Sequence, residues 1–210
     1  MTPVVDTRSP RWDGALNLAD LGGLPLRGGG HTAYGRVFRS GSPDSLTCAG
    51  WASLMAAGVT TVIDLRNQAE RPSPGEPMPG VQIVPAPTEV PDDPVFIELC
   101  GPWLDHPRSY ADNLRLFPAL LAVAFRGIAD AAGGVLIHCA GGRDRTGMVV
   151  ALFLSLAGVT AEAIADDYTR ACRGAGQQWP ATDGDTASEH GMPERALALL
   201  EWLEGFDPAA

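Results

Sequence analysis

The residues best suited to chemistry lie in one short stretch, HCAGGRDRTG at 138–147, called the signature loop below. Cys139 follows an apolar run, and Arg145 lies six positions later, where a second hydrophobic run begins. A strand that enters a tight loop and then a helix directs the loop N–H groups and the helix dipole at one point, which favours an anion. A thiolate held there is a nucleophile, and an arginine fork can bind two phosphate oxygens. The stretch therefore predicts phosphoryl transfer through a phosphocysteine intermediate.

The rest of the signature loop predicts how the anion would be bound. Gly141 and Gly142 let the backbone curl close to an oxyanion, because glycine tolerates conformations that a side chain forbids. Arg145 and the loop amides would supply the charge stabilisation that magnesium supplies in other phosphoryl-transfer enzymes, so we expect no metal and no cofactor. The predicted phosphate-binding residues are Ala140, Gly141, Gly142, Arg143, Asp144, Arg145 and Thr146.

The leaving alcohol needs a proton, and two carboxylic acids compete for that role. Asp144 lies inside the signature loop, although a carboxylate there could simply complement the helix dipole. Asp64 lies near the end of a predicted strand at 59–65. If that strand is parallel to a second one at 135–138, both open on the same edge of the sheet, where ligands collect in such folds. Asp64 is therefore a rival acid or a partner of Arg145.

Four further residues near these elements have two interpretations each. We expect His138 to hold the loop by bonding nearby backbone, with direct proton transfer as the alternative. Asp92 and Asp93 are flanked by prolines, which is typical of a solvated turn, although the pair could form a lid acid. Arg39 either borders the pocket or pairs with a surface carboxylate.

Helices and strands alternate along the chain. Thr47 is a predicted helix cap, and a strand rich in Val, Ile and Thr follows at 59–65. Pro118 either begins or kinks the main segment of a later helix. The strand 135–138 then leads to a helix from about 146 to 157. This order predicts an α/β fold with a central, mostly parallel sheet flanked by helices on both faces.

The chain of 210 residues suffices for one well-buried domain, so we predict a single domain over 1–210. Residues 12–40 alternate short apolar runs with glycine turns, which is typical of a hairpin or a short meander. Residues 71–94 hold eight prolines around one plausible strand, which indicates a surface excursion rather than core. A polar, glycine-containing loop is expected over 173–191.

Composition excludes several classes of partner. The formal net charge of -10 argues against a nucleic-acid or anionic-membrane footprint, because such partners need a basic face. No apolar run is long enough to cross a membrane, and the N-terminus does not read as a secretory signal, so we expect a cytoplasmic protein, with signal-less export left open. Three cysteines lack a glycine-arginine loop and are expected to be free packing thiols: Cys48, Cys100 and Cys172.

The signature loop matches the Cys-x5-Arg motif of the protein tyrosine phosphatase superfamily. The pieces NLADLGG, GRVFRSGSPDSLT and GVTTVIDLR resemble the bacterial tyrosine phosphatases that also act on serine and threonine phosphates and on phosphoinositides. The resemblance implies that Cys139 is the nucleophile, Arg145 binds phosphate and the Thr146 hydroxyl steadies the departing thiolate. It also favours Asp144 as the acid, since this family lacks the mobile Trp-Pro-Asp loop of larger phosphatases. One departure is Arg143, which replaces the usual lysine of the family loop.

The expected activity is metal-independent hydrolysis of phosphotyrosine, extending to phosphoserine, phosphothreonine or phosphoinositides. Phosphorylated proteins or phosphoinositides would be the substrates, with phosphate or vanadate as ligands of the same site. Two other classes fit parts of the pattern. One is a catalytically silent phosphate-binding module, and the other is a different cysteine-loop enzyme such as a sulfurtransferase or an arsenate reductase.

Overall fold

Five strands form one sheet in the computed structural model, which describes residues 8–71, 80–176 and 191–205. They are β1 (Ala19–Asp20), β2 (Val37–Ser40), β3 (Val59–Asp64), β4 (Gln82–Pro85) and β5 (Gly134–His138). Their order across the sheet is β1-β2-β5-β3-β4, and every neighbouring pair is parallel except β1 with β2. The predicted α/β fold with a mostly parallel sheet is confirmed. Because β3 and β5 are parallel neighbours, Asp64 lies in register with His138 at the same edge.

Seven α-helices lie within the described ranges, and sequence signals mark several of their ends. They are α1 (Cys48–Ala56), α2 (Pro94–Cys100), α3 (Tyr110–Leu116), α4 (Pro118–Ala129), α5 (Asp144–Leu156), α6 (Ala161–Gly176) and α7 (Met192–Glu204). Thr47 caps α1 as predicted, because its side chain accepts a hydrogen bond from the Gly50 N–H at 3.1 Å. Pro118 begins α4 rather than kinking a longer helix, since α3 has already ended at Leu116.

The sheet is packed on both faces, because alternate residues of each strand point to opposite sides. Ile137 of β5 joins a large cluster that includes Leu154 of α5 and side chains of α4, α6 and α7. Its neighbour Leu136 joins a smaller cluster on the other face with Leu54 of α1 and Trp12. Most residues of α5 are buried, so the helix that follows the signature loop is held rigidly against the sheet.

The described second half of the predicted surface excursion over 71–94 is mostly exposed or partly exposed, but it includes a strand and a short buried stretch. Its strand is present as β4, which pairs with β3 at the edge of the sheet. The chain then turns inward rather than outward, so that Ala86 and Thr88 are completely buried. The prolines keep this backbone irregular, but it lies at the carboxyl edge of the sheet because it directly follows β4. Residues 72–79 of the excursion lie outside the described residues.

Two other predicted segments are found in modified form. The hairpin expected over 12–40 is the antiparallel pair of β1 and β2, whose connection contains an isolated bridge between Pro25 and His31. The first residues of the polar loop expected over 173–191 belong to α6, which continues to Gly176, and residues 177–190 lie outside the described part of the chain. None of the helices in the described ranges combines the length and apolar character needed to cross a lipid bilayer.

Two leucines of α5 test how this helix is anchored. Leu154 is 1% exposed and Leu156 is 53% exposed. Leu154→Ala should lower the free energy of unfolding by about 2–5 kcal/mol, since it leaves a cavity against the sheet. Leu156→Ala should change it by no more than about 0.5 kcal/mol. Urea denaturation of the two variants measures the difference, and equal effects would contradict the described packing of α5.

Candidate active site

Cys139 lies directly after β5, at the start of the loop that leads into α5. Its side chain is only 3% exposed. The Gly142 N–H donates a hydrogen bond to the Cys139 Sγ at 3.2 Å, so the sulfur already serves as an acceptor for the backbone. The sulfur therefore lies beside the start of α5 with a backbone N–H directed at it.

The peptide carbonyls of the signature loop are held by groups outside it. Asn17 donates from Nδ2 to the Gly141 carbonyl at 2.9 Å and to the Gly142 carbonyl at 3.3 Å. The Ser42 N–H donates to the Ala140 carbonyl at 2.8 Å. In a trans peptide the carbonyl and the N–H point in opposite directions. Fixing these carbonyls therefore directs the N–H groups of the same peptides toward the opposite side. One of them is the Gly142 N–H that bonds Cys139.

Arg39, in β2, also holds a carbonyl of the signature loop. Its guanidinium donates to the Gly142 carbonyl at 2.7 Å and pairs with Asp167 of α6 at 2.6 Å. Both side chains are almost completely buried. Of the two interpretations offered by the sequence, Arg39 does pair with a carboxylate, but the carboxylate is buried rather than on the surface. Its second bond supports the loop from behind.

Gly142 is the loop position that only glycine suits. Its φ is 69°, in the left-handed region. An added Cβ would come within 2.4 Å of the Ser40 carbonyl, so the loop lies tightly against the end of β2. At Gly142, both the backbone conformation and the close approach of the loop to β2 exclude a side chain.

Arg145 lies in the first turn of α5 with its charged end held by two glutamates. Glu70 bonds it end-on, at 2.5 Å to one terminal nitrogen and 2.6 Å to the other. Glu89 lies 3.5 Å from one of the same nitrogens. An end-on carboxylate takes one N–H from each terminal nitrogen, so the remaining N–H groups stay available for an oxyanion. The hydrogen bond from Arg145 lowers the pKa of Glu70, whereas burial raises the pKa of Glu89 despite the nearby cation.

A cleft of about 600 Å³ opens above the loop. The cleft brings together the predicted nucleophile, the arginine predicted to bind phosphate and one of the two candidate acids. The lining residues are Asn67, Ala69, Glu70, Glu89, Pro91, Leu104, Cys139, Ala140, Gly141, Arg143, Asp144, Arg145 and Ala175.

Asp144 faces this cleft with a carboxyl that is poorly solvated. Its Oδ2 accepts a hydrogen bond from the Arg143 Nε at 2.9 Å. Its Oδ1 is buried and has no hydrogen-bond partner among the described residues. Burial raises the pKa of Asp144 above its ordinary value, although Arg143 and Arg195 act to lower it. A carboxyl in this environment keeps its proton to higher pH than an exposed aspartate does.

Asp64 has the opposite environment. Arg66 donates to it from Nε at 3.0 Å, from a terminal nitrogen at 2.9 Å and from its backbone N–H at 3.0 Å. Burial acts to raise the pKa of Asp64, but these bonds and nearby His138 outweigh it, so the pKa lies below its ordinary value. Asp64 is absent from the residues that line the cleft, and its partner is Arg66 rather than Arg145.

Four other predicted positions have different environments. The His138 Nδ1 lies 3.0 Å from the Cys139 carbonyl, and burial lowers the pKa of this imidazole. Asp93 caps α2 by accepting hydrogen bonds from two backbone N–H groups at 2.9 Å, while Asp92 is exposed. The Thr146 hydroxyl is completely buried and has no hydrogen-bond partner within the described ranges. Neither Asp92 nor Asp93 lines the cleft.

With this geometry in view, comparison with known proteins identifies the family. The model of the tyrosine phosphatase family matches residues 10–203. The chain belongs to that family. A Cupriavidus necator protein whose name assigns it to the tyrosine-protein phosphatases is 31% identical over 166 residues, covering 75% of this chain and 60% of the relative. The triple specificity protein phosphatase PtpB of Mycobacterium tuberculosis is 33% identical over 167 residues, covering 65% and 60%.

The chain thus spans about 60% of the length of these two curated relatives. Among solved structures, P. aeruginosa TpbA is similar to this chain with a TM-score of 0.44 at 18% identity, covering 96% of this chain and 94% of TpbA.

Sequence reasoning missed three contributors to the site in this member of the family. Asn17 stands within the quoted NLADLGG piece, but its role depends on a loop more than a hundred residues away. Glu70 and Glu89 follow β3 and β4, and only the parallel order of the sheet brings them to Arg145. An acidic residue shortly after a strand that neighbours β5 is the signal that could have found them.

Two glycines with similar backbone conformations test the packing of the signature loop. Gly158 has a φ of 84° and open space around it, whereas Gly142 abuts β2. Gly158→Ala should lower the free energy of unfolding by about 1–2 kcal/mol through backbone strain alone. Gly142→Ala should lose roughly 1–3 kcal/mol more because of the overlap with Ser40. Chemical denaturation measures both, and matching losses would refute the close approach of the loop to β2.

Proposed function

We propose that this protein is a phosphatase that hydrolyses phosphotyrosine through a phosphocysteine intermediate. The observation that carries the proposal is the convergence of Cys139, Arg145 and Asp144 on one cleft. Membership of the tyrosine phosphatase family supports the same conclusion. The activity requires a nucleophile, a cation that binds the phosphoryl oxygens and an acid, and each is available as a side chain of this chain.

In the first step the Cys139 thiolate attacks the phosphorus atom, and the bond from phosphorus to the tyrosine oxygen breaks. Asp144 donates its proton to that oxygen, so that tyrosine leaves as a neutral phenol. The raised pKa of Asp144 favours this step, because the carboxyl holds a proton to give. Arg145 and the loop N–H groups bind the equatorial oxygens, where charge is concentrated in the transition state.

In the second step water attacks the phosphorus atom of phosphocysteine, and the sulfur–phosphorus bond breaks. Asp144, now a carboxylate, takes a proton from that water, and inorganic phosphate leaves. The departing thiolate returns to the hydrogen bond from the Gly142 N–H. The Thr146 hydroxyl, buried in the first turn of α5, is the proposed second donor to this sulfur.

Phosphotyrosine is the first substrate class we propose, with phosphoserine, phosphothreonine and phosphoinositides as further classes. The printed name of PtpB, a triple specificity phosphatase, supports testing all of them. The chemistry of a silent phosphate-binding module is less well supported, because such a module would need neither a thiolate nor an acid that keeps its proton. A panel of phosphopeptides and phosphoinositide vesicles compares the classes directly.

The covalent mechanism predicts the behaviour of a serine variant. The wild-type protein should hydrolyse p-nitrophenyl phosphate in EDTA, and Cys139→Ser should abolish turnover while still binding phosphate or vanadate, since the loop amides and Arg145 remain. Cys48→Ser, at an exposed thiol, is the matched control and should retain full activity. Steady-state kinetics and calorimetric titration measure the two properties. A fully active Cys139→Ser protein would remove the covalent mechanism, and loss of wild-type activity in EDTA would refute metal independence.

Two substrates with different leaving groups can identify which carboxyl is the acid. Asp144→Asn should lower kcat on a phosphotyrosine peptide by roughly 10²–10⁴-fold, because phenolate leaves poorly without a proton. The same variant should lose much less on p-nitrophenyl phosphate, whose leaving group is a stable anion. Asp64→Asn is the comparison: any effect should be similar on both substrates, since Asp64 supports structure beside Arg66. The roles would be reversed if Asp64→Asn, and not Asp144→Asn, showed the leaving-group difference.

A further inference from the structure

The helix α7 brings a buried arginine to the back of the cleft. Arg195 is 0% exposed, which is unusual for a cationic side chain unless it is paired. Its terminal nitrogens donate to the Asp105 carbonyl, to the Asp105 carboxylate at 3.0 Å and to the Tyr168 hydroxyl at 3.2 Å. The side chain is therefore anchored from two neighbouring segments before any contact with the active site is considered.

The same guanidinium lies beside the proposed acid. One terminal nitrogen is 3.7 Å from the Asp144 Oδ1, the oxygen that is buried and has no hydrogen-bond partner in the described part of the chain. The other oxygen, Oδ2, is bonded by Arg143. Arg143 lines the cleft and is partly exposed, so a bound substrate can contact it. Arg195 is enclosed, so it is the fixed charge of the two.

We infer that Arg195 is a positioning residue for Asp144: it holds the carboxyl in the orientation that proton donation requires, and its positive charge favours the carboxylate form that the second step needs. This inference rests on the proposed phosphatase function, because it assigns a task to the acid of that reaction. Arg195 does not touch the cleft, and so it acts only through Asp144. The carboxyl is thereby held between two cations, one of which stays in place throughout the reaction.

The charges around Asp144 determine the sign of the expected effect. The nearest cations are Arg143 and Arg195, and the nearest acid is Asp105. Arg145 and Glu89 face Asp144 across a small cavity. The neutral groups Tyr110, Tyr168 and Cys172 complete its surroundings from α3 and α6. Burial raises the pKa of Asp144, and the cations limit that rise. Removing the charge of Arg195 should therefore raise the pKa further and extend the pH range in which the acid is protonated.

The kinetic test uses substitutions at Arg195 and at its neighbour. In Arg195→Gln the alkaline limb of kcat/KM for a phosphotyrosine peptide should move up by about one pH unit. Its kcat should fall at least about tenfold through misplacement of the acid, with a smaller loss on p-nitrophenyl phosphate. Arg195→Lys retains the charge and should restore most of the wild-type pH profile. Glu194→Gln breaks the exposed pair of α7 with Arg108 and should leave the profile unchanged.

A direct titration separates this inference from the proposed function. The side-chain ¹³C signal of Asp144, assigned with Asp144→Asn, reports the protonation of the carboxyl whether or not the protein turns over substrate. Its inflection should lie at higher pH in Arg195→Gln than in the wild type, and Arg195→Lys should return it toward the wild-type position. If Arg195→Gln fails to fold, Arg195→Met, which also removes the charge but keeps an apolar stem, takes its place and should displace the inflection in the same direction.

An inflection that is the same in the wild type and in the folded Arg195→Gln or Arg195→Met protein would overturn the inference. So would an Arg195→Gln protein that loses activity equally on both substrates, because that pattern indicates a general structural defect. A wild-type protein without phosphatase activity would refute the proposed function, while a displaced Asp144 inflection would still support the coupling between Arg195 and this carboxyl.

Discussion

The site depends on the direction of a few peptide planes in the signature loop. In each trans peptide the C=O and N–H groups point in opposite directions, so fixing the carbonyl also fixes the direction of the N–H. Asn17, Ser42 and Arg39 hold successive loop carbonyls from outside. These holding groups come from the segment before β1 and from β2 and its end, and β2 is the direct neighbour of β5. The sheet order is therefore what gives this glycine-rich loop the backbone directions of the proposed anion site.

Because the net charge of the chain is -10, a positive potential in the cleft has to come from the arrangement of its groups rather than from the overall composition. Arg145 is surrounded by Glu70 and Glu89, which would seem to oppose anion binding. Their geometry avoids that conflict, since the end-on pair occupies one edge of the guanidinium and fixes its orientation. The positive field that remains comes from the other N–H groups of Arg145, from the loop amides and from the start of α5. A globally acidic protein can thus present a locally positive site.

How much could be predicted from the sequence follows from which interactions are local. The cysteine, the glycines and Arg145 lie within one strand-loop-helix unit, and so their spacing alone predicts their convergence. Asn17, Glu70, Glu89 and Arg195 are distant in sequence, and their positions depend on sheet order and on the docking of α7. The burial of Ala86 and Thr88 after β4 is missed for the same reason, because proline content describes local backbone and not where a neighbouring strand directs it.

The two candidate acids show how environment divides one residue type into two roles. Asp64 and Asp144 are both removed from bulk water, and burial alone would raise the pKa of either. Asp64 offsets this with several hydrogen bonds from Arg66, so its charged form is the stable one. Asp144 has a single hydrogen bond from Arg143 and an Oδ1 that faces Arg195 without bonding it. A carboxyl that lies between charged groups and has one unbonded oxygen can both lose a proton and regain it. Two-step hydrolysis requires this property of its acid.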